Sequence, residues 1–248
     1  MKIAIIGYGR MGHIIERIAL ERGNTITCRI DRDNPGDFDS EAFLSSDVAI
    51  EFSTPGTAPD NLLRCFRRGI PVVCGTTGWT ARLDEFRQLC DDGKGTLLWA
   101  SNFSVGVNLF RAISRSLARM MDAFPQYRPR MEEVHHVHKL DHPSGTAVTL
   151  AEDIVAECSR LSAWAEPEEG RELPEDILGV DHIRRGEVPG IHTILWESPV
   201  DEISITHSAR NREGFALGAV MAAEWLAGRK GFRNIGEMLR DVTGIDPE

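Results

Sequence analysis

The first twenty residues constrain this chain more than any other stretch. Lys2-Ile3-Ala4-Ile5-Ile6 is a short, β-branched run with no polar face, the pattern of a parallel strand covered on both sides. Gly7-Tyr8-Gly9-Arg10-Met11-Gly12 follows at once, and then Ile14, Ile15, Ile18 and Ala19 repeat at helical spacing. A G-x-G-x-x-G turn in that context has a known physical use. Gly7 permits the tight turn, Gly9 lets backbone approach a pyrophosphate, and Gly12 lets the helix pack closely on the strand. A second apolar strand, 25–30, ends at Asp31, about twenty residues past the turn, where an acid can meet ribose hydroxyls. Asp31 favours a free 2′-hydroxyl and hence NADH, while Arg10 and Arg32 offer charge to the 2′-phosphate of NADPH. The expected cofactor is therefore NADH or NADPH.

The alternation continues with strand-like runs at 48–52, 70–74 and 96–100, separated by helical stretches at 58–68 and 81–90. This βα repeat predicts a mostly parallel sheet with helices on both faces, binding ligands at the carboxyl ends of its strands. Those ends carry Ser53-Thr54-Pro55-Gly56, Gly75-Thr76-Thr77-Gly78 and Ser101-Asn102-Phe103-Ser104, all small and polar enough for close approach. A long helix over 105–124 follows, stopped by Pro125 and Pro129. Beyond it the pattern predicts a strand at 131–138, a helix at 145–161, an acidic mobile surface loop at 165–176 and strands at 180–184, 192–197 and 202–209. A final helix at 215–227 should return to the first sheet.

The fold class is thus α/β. It has an N-terminal Rossmann-type parallel sheet (1–106, completed by 215–248) and a second α+β domain on an open mixed sheet (107–214). At 248 residues the chain can build two cores. A net charge of −10 argues against nucleic acid as a partner, since such affinity comes from clustered Lys and Arg. No run approaches the ~18 apolar residues of a membrane span, and the opening apolar run is too short for a signal peptide. The cysteines, Cys28, Cys65, Cys74, Cys90 and Cys158, are scattered and odd in number, as expected of free thiols in the cytoplasm.

The chemistry concentrates in His135-His136-Val137-His138-Lys139-Leu140-Asp141-His142-Pro143-Ser144-Gly145-Thr146-Ala147. Histidines titrate near neutrality and are costly to bury unpartnered, so such a cluster points to acid–base work. Four-residue spacing puts His135 and Lys139 on one face of a strand or helix. Asp141 or Ser144 can cap the helix that follows, whose first N–H groups favour an anion. His136-x-His138 is also a metal-ligand spacing. No Cys-x-x-Cys or His-Glu-x-x-His accompanies it, and no metal is expected.

These motifs resemble the dihydrodipicolinate (4-hydroxy-tetrahydrodipicolinate) reductase family over nearly the whole length. The resemblance rests on 7–12, Gly75-Thr76-Thr77-Gly78, Asn102-Phe103-Ser104-Val105-Gly106, 135–147, and His207-Ser208-Ala209-Arg210 with Phe215 and Gly218-Ala219. It implies hydride transfer from NAD(P)H to a cyclic unsaturated imine dicarboxylate in lysine and diaminopimelate biosynthesis. It further implies that His135 and Lys139 are catalytic and that His136, Ser144, Gly145 and Thr146 bind substrate. Cofactor contacts would fall to Gly7, Tyr8, Gly9, Arg10, Met11, Gly12, Asp31, Gly75, Thr76, Thr77, Ser101, Asn102, Phe103 and Ser104. A homotetramer built through the second-domain sheets is implied as well. The chain departs from the family pattern in two places: the glycine turn is one residue shorter, and His142 stands where alanine is usual. The residues alone also admit another two-domain nicotinamide dehydrogenase, acting on an amino acid or sugar, or a non-catalytic NAD(P)-sensing protein. Arg184, Arg185 and Arg212 are open to roles at the substrate or at a subunit contact.

Overall fold

The computed structural model describes residues 1–168, 170 and 172–244. The chain divides into two compact units, residues 1–108 together with 213–244, and Leu109–Arg212. The first unit opens with β1 (Lys2–Ile6), α1 (Arg10–Glu21), β2 (Thr25–Ile30), α2 (Glu41–Leu44), β3 (Val48–Glu51) and α3 (Ala58–Arg67). It continues with β4 (Val72–Cys74), α4 (Leu83–Asp91) and β5 (Thr96–Trp99). Next comes α5 (Val105–Met121), whose first turn belongs to this unit and whose remainder belongs to the second. The second unit then adds β6 (Arg128–His135), α6 (Gly145–Glu157), β7 (Ala163–Ala165), β8 (Ile177–Arg184), β9 (Ile191–Glu197) and β10 (Glu202–Ser208). The chain returns to the first unit with α7 (Glu213–Leu226), β11 (Gly231–Arg233) and α8 (Ile235–Thr243).

The first sheet has the order β11-β5-β4-β3-β1-β2, with every pairing parallel. Alternation along β1 sorts its side chains between two cores. Ile3 and Ile5 face α1, α7 and α8, whereas Ala4 and Ile6 face the aromatic layer of Phe38, Phe43, Phe66 and Phe86. Each fully buried Ile or Leu stabilises by roughly 2–3 kcal/mol, so both faces of the strand must stay covered. Strand order reverses beside β1, which pairs with β2 on one side and β3 on the other. That reversal opens a crevice at the carboxyl ends, where such sheets bind ligands.

The second sheet is mixed, in the order β10-β9-β6-β8-β7. β6–β8 and β7–β8 are parallel, β6–β9 and β9–β10 antiparallel. Its inner face packs Met131, Leu178, Val180, Ile194 and Trp196 against Phe110, Leu117 and Met121 of α5 and Leu150 and Ile154 of α6. Arg130, Asp181, Thr193 and Thr206 lie on the outer face.

Several local expectations are corrected. The histidine-bearing strand spans Arg128–His135 rather than 131–138, because the proline at 129 sits inside the strand and the chain turns at His136. The helix expected over 145–161 stops at Glu157, where Cys158 adopts extended geometry. That expected over 105–124 stops at Met121. The predicted 165–176 loop begins at the last residue of the short strand β7; Glu169 and Arg171 within it lie outside the described residues. β11 and α8, absent from the sequence reading, complete the first unit.

Candidate active site

In the first unit, the β1–α1 turn forms one wall of a groove of about 540 Å³. Gly7 and Gly9 line it with Asp31 and Arg32 from the end of β2 and Ser53 and Thr54 from the end of β3. Gly7 has φ of 88°, and a Cβ there would lie 2.1 Å from the carbonyl oxygen of Phe52, so no other residue fits. Gly9 stands at the N-cap of α1 and supplies no side-chain cap, leaving the N–H groups of the first turn without a capping side chain. A Cβ on Gly9 would meet nothing within 4 Å, so the mouth of the turn is open to a ligand. Arg10 is exposed and Met11 half-buried against the core, while Gly12 is buried beneath the turn. Tyr8 gives its hydroxyl to Glu16, which also pairs with Arg29. Hydrogen bonding from Arg29 is the main reason Glu16 is held at about 2, and it commits Arg29 to a structural pair.

The neighbouring strand ends are organised by a carboxylate that the sequence reading passed over. Glu51 is fully buried. It accepts hydrogen bonds from Thr76 Oγ1 (2.7 Å), Cys74 Sγ (3.1 Å) and Asn61 Nδ2 (3.3 Å), and from the Ser53 hydroxyl. Thr76 Oγ1 in turn accepts from the Ser53 N–H at 2.8 Å. Burial first, and then the Glu51 charge, push the Cys74 thiol well above its ordinary range, so it remains a donor. Of the residues expected at the cofactor, Thr76 is buried with its side chain spent on Glu51, and Thr77 is exposed. A Cβ on Gly75 would strike the Phe52 ring at 2.1 Å, so packing alone already demands glycine there. Ser101 is exposed, and Asn102 accepts from the Ser104 N–H at 2.8 Å. The Ser104 hydroxyl accepts from Val107 N–H (3.3 Å) at the head of α5, and Phe103 is core rather than groove wall.

In the second unit, the centre is Glu133, also fully buried. Its Oε1 accepts the Ser144 N–H at 3.0 Å and Arg184 Nη2 at 3.1 Å. Its Oε2 lies 3.1 Å from His135 Nδ1 and 3.8 Å from His192 Nε2. The His135 contact is an ion-pair distance without hydrogen-bond alignment. The His135 and His192 rings meet edge to face at 5.3 Å, and His192 Nε2 is 3.3 Å from Ser144 Oγ. Burial works to raise the Glu133 pKa, but the His135 ring and the Ser144 side chain and amide outweigh it and hold it at about 2. Burial first, and then the neighbouring His135, lower His192 to about 4, so it is a neutral ring at pH 7.

Ser144 caps α6 by accepting the Ala147 N–H at 3.2 Å. The N–H groups of Gly145 and Thr146 in the first turn have no carbonyl one turn back, and a Cβ on Gly145 would meet open space. Lys139 Nζ reaches both oxygens of Asp141 at 2.8 Å, and this hydrogen bonding is the main cause of the lowered Asp141 pKa. Lys139 does not share a face with His135 by strand or helix periodicity. His135 closes β6, whereas Lys139 follows a turn in which its N–H reaches the His136 carbonyl at 3.1 Å. Arg184 ties that turn to the cluster, donating to the Asp141 carbonyl (2.7 Å) and the Lys139 carbonyl (3.3 Å). Its place within this unit is therefore that of a strut. His136 Nδ1 is buried without a hydrogen-bond partner, and His138 pairs with Glu187 at 3.1 Å near the surface. Glu133 and His192 go unmarked in the sequence, because nothing separates Glu133 from its neighbour Glu132 and His192 is distant in the chain. Arg184, left open between substrate and subunit contact, pairs with Glu133.

Comparison with known proteins covers both units. Residues 1–103 match the model of the dihydrodipicolinate reductase N-terminus, and 106–239 that of its C-terminus. A 4-hydroxy-tetrahydrodipicolinate reductase of Christiangramia forsetii is 43% identical over 98% of this chain and 99% of its own. One from Lawsonia intracellularis is 32% identical over 94% and 96%. The solved structure of dipicolinate-bound dihydrodipicolinate reductase from Paenisporosarcina sp. TG-14 shares the fold. It has a TM-score of 0.76 at 22% identity, covering 94% of this chain and 97% of that one.

Proposed function

Because this chain belongs to the dihydrodipicolinate reductase family, we propose that its Gly7–Asp31 groove holds NAD(P)H and its Glu133–Thr146 region holds the dicarboxylate substrate and supplies the proton. The reaction is the family's: NAD(P)H-dependent reduction, in lysine and diaminopimelate biosynthesis, of the cyclic imine derived from 4-hydroxy-tetrahydrodipicolinate to tetrahydrodipicolinate. The open glycine turn at an uncapped helix start fits a pyrophosphate, and Asp31 at the groove edge fits ribose hydroxyls. Gly7, Tyr8, Gly9, Arg10, Met11 and Gly12 would hold the phosphates. Backbone at Gly75, Thr76, Thr77 and Ser101–Ser104 would line the remainder. When bound, the reduced nicotinamide supplies hydride.

The protein's own part is to bind, orient and protonate. Adding hydride to a conjugated imine leaves negative charge, and a positioned acid that quenches it accelerates typically ~10²–10⁴-fold. Lys139 Nζ, oriented by Asp141, and His135 Nε2 are the two proton carriers. Glu133 Oε2 stands 3.1 Å from Nδ1 of His135, which leaves Nε2 for a ligand. The Gly145 and Thr146 amides at the head of α6 receive one substrate carboxylate, with His136 Nδ1 as a further contact. Ser144, whose buried hydroxyl is engaged by Ala147 and His192, positions that turn.

The observation that carries this reading is the charged group buried around Glu133. Burying ions costs several kcal/mol each, and perturbed carboxylates and rings in one place mark chemistry rather than packing. The direct test supplies aspartate semialdehyde, pyruvate and the upstream synthase and follows nicotinamide oxidation with NADH and NADPH separately. Substrate-dependent oxidation supports the reading; tight cofactor binding without turnover refutes it. We also propose a cytoplasmic homotetramer. The outward sheet face of Arg130, Thr193 and Thr206 offers a surface for the assembly, and five free, buried cysteines fit a reducing compartment. A monomer in sedimentation velocity would refute the assembly. Nucleic acid and membrane partners are not proposed, given the charge of −10. Among the described residues no helix is long and apolar enough to cross a membrane.

A further inference from the structure

His142 lies two residues before the Ser144 cap of α6, and the function above gives it no work. It does not stand alone. Its Nδ1 lies 2.9 Å from Oε2 of Glu166, and Nδ1 of His182 lies 2.8 Å from the same oxygen. The two imidazoles stack nearly parallel, with centroids 4.3 Å apart and planes 16° from one another. The three ligand-type atoms fall within 4.8 Å of each other. They come from three separate segments: the loop before α6, the chain just after β7, and strand β8.

We propose that His142, Glu166 and His182 form a binding site for a borderline-soft divalent cation, Zn²⁺ being the representative. Two imidazole nitrogens and one carboxylate oxygen are a zinc-type donor set, and three protein ligands leave a position for water. Hard cations are disfavoured, since Mg²⁺ and Ca²⁺ take mainly oxygen ligands in higher coordination. Each ring presents Nδ1 to the ion in the tautomer whose proton sits on Nε2. Coordination turns the two rings out of their stack so that both Nδ1 lone pairs converge. Tetrahedral bonds of about 2.0–2.2 Å, which set ligand atoms about 3.3–3.6 Å apart, open the Nδ1–Oε2 contacts from 2.9 and 2.8 Å. All three side chains are partly exposed, so the ion has a path in.

The second Glu–His–His group of this unit, Glu133, His135 and His192, is a poorer candidate. Its carboxylate already pairs with the Arg184 guanidinium at 3.1 Å, and that cation would oppose a second one. A metal at His142 would act on the loop. It would bind the segment two residues before Ser144 to strand β8, bracing the head of α6.

The test uses the full-length, tag-free, metal-stripped protein in equilibrium dialysis against Zn²⁺ at pH 7.5, with excess Mg²⁺ present. The expected result is one Zn²⁺ per chain, weakened at least about tenfold in His142→Ala, in His182→Ala and in Glu166→Gln. Co²⁺ in place of Zn²⁺ should give visible d–d absorption that the same substitutions abolish. Glu166→Gln preserves shape, and circular dichroism of each metal-free variant separates lost binding from lost folding. Absence of Zn²⁺ binding at micromolar concentration overturns the proposal, which would leave a hydrogen-bonded His–Glu–His cluster. Stoichiometric binding unchanged in all three variants also overturns it, and places the ion elsewhere.

Discussion

Glu133→Gln tests the centre of the second unit most directly. The substitution keeps volume and one acceptor oxygen but removes the charge facing Arg184, His135 and Ser144. The carboxylate has a pKa of about 2 in the fold against an ordinary 4.5, a difference equivalent to about 3 kcal/mol of preference for the ionised form. Glu133 is fully buried, so little of this is screened. Removing one partner of a buried pair typically costs ~3–5 kcal/mol, and both routes therefore predict a loss of about 3 kcal/mol at pH 7. Urea unfolding at fixed protein concentration, followed by circular dichroism, measures it. Because the folded pKa is depressed, the stabilisation is present above 4.5 and disappears as pH falls toward 2, and the gap between wild type and variant should narrow over that window. Adding Arg184→Met to the variant removes the stranded guanidinium and should make matters no worse. A loss below about 1 kcal/mol at pH 7, or a gap that widens on acidification, would refute the picture of an ionised, paired Glu133.

Three further outcomes are expected. Lys139→Ala should lower kcat about 10²-fold or more while leaving the NADH dissociation constant within twofold, as measured by steady-state kinetics and fluorescence titration; near-normal turnover would remove Lys139 from the proton path. Gly7→Ala should weaken cofactor binding and destabilise the fold by more than ~1 kcal/mol, because its Cβ would lie 2.1 Å from the Phe52 oxygen at a positive φ; calorimetric melting and cofactor titration check both. His192 is lowered from 6.5 to about 4, so the unfolded chain takes up its proton first and stability falls as pH drops through that window. His192→Gln should flatten the stability profile between pH 6.5 and 4, and an unchanged profile would show that the ring is not a buried neutral base.

How far the sequence could be read depended on how local each signal was. The glycine turn was legible because strand, Gly7 and helix are contiguous, and their requirements are steric. The βα alternation was legible for the same reason, and Thr25–Ile30 emerged with the bounds expected of it. The three-residue strands β7 and β11 escape notice because they are only partly buried and carry no apolar run, unlike the equally short but fully buried β4. The composition of the histidine segment points to acid–base work, but its spacing does not give its geometry. Periodicity assumes one continuous element, and the turn at His136 breaks it.

By itself the sequence determined the two kinds of sheet and the family, because each rests on neighbouring residues or on a long run of motifs. Only the tertiary structure decided which polar groups are buried together. Glu133 meets Arg184 from 51 residues away, and Ser144 meets His192 from 48. Glu51 joins Thr76 across 25, and His142 finds Glu166 across 24. Charges and hydrogen bonds act over a few ångströms of space whatever their separation along the chain. Their partners, and hence the protonation states of Glu133 and His192, become defined only when strands pair and helices cover them.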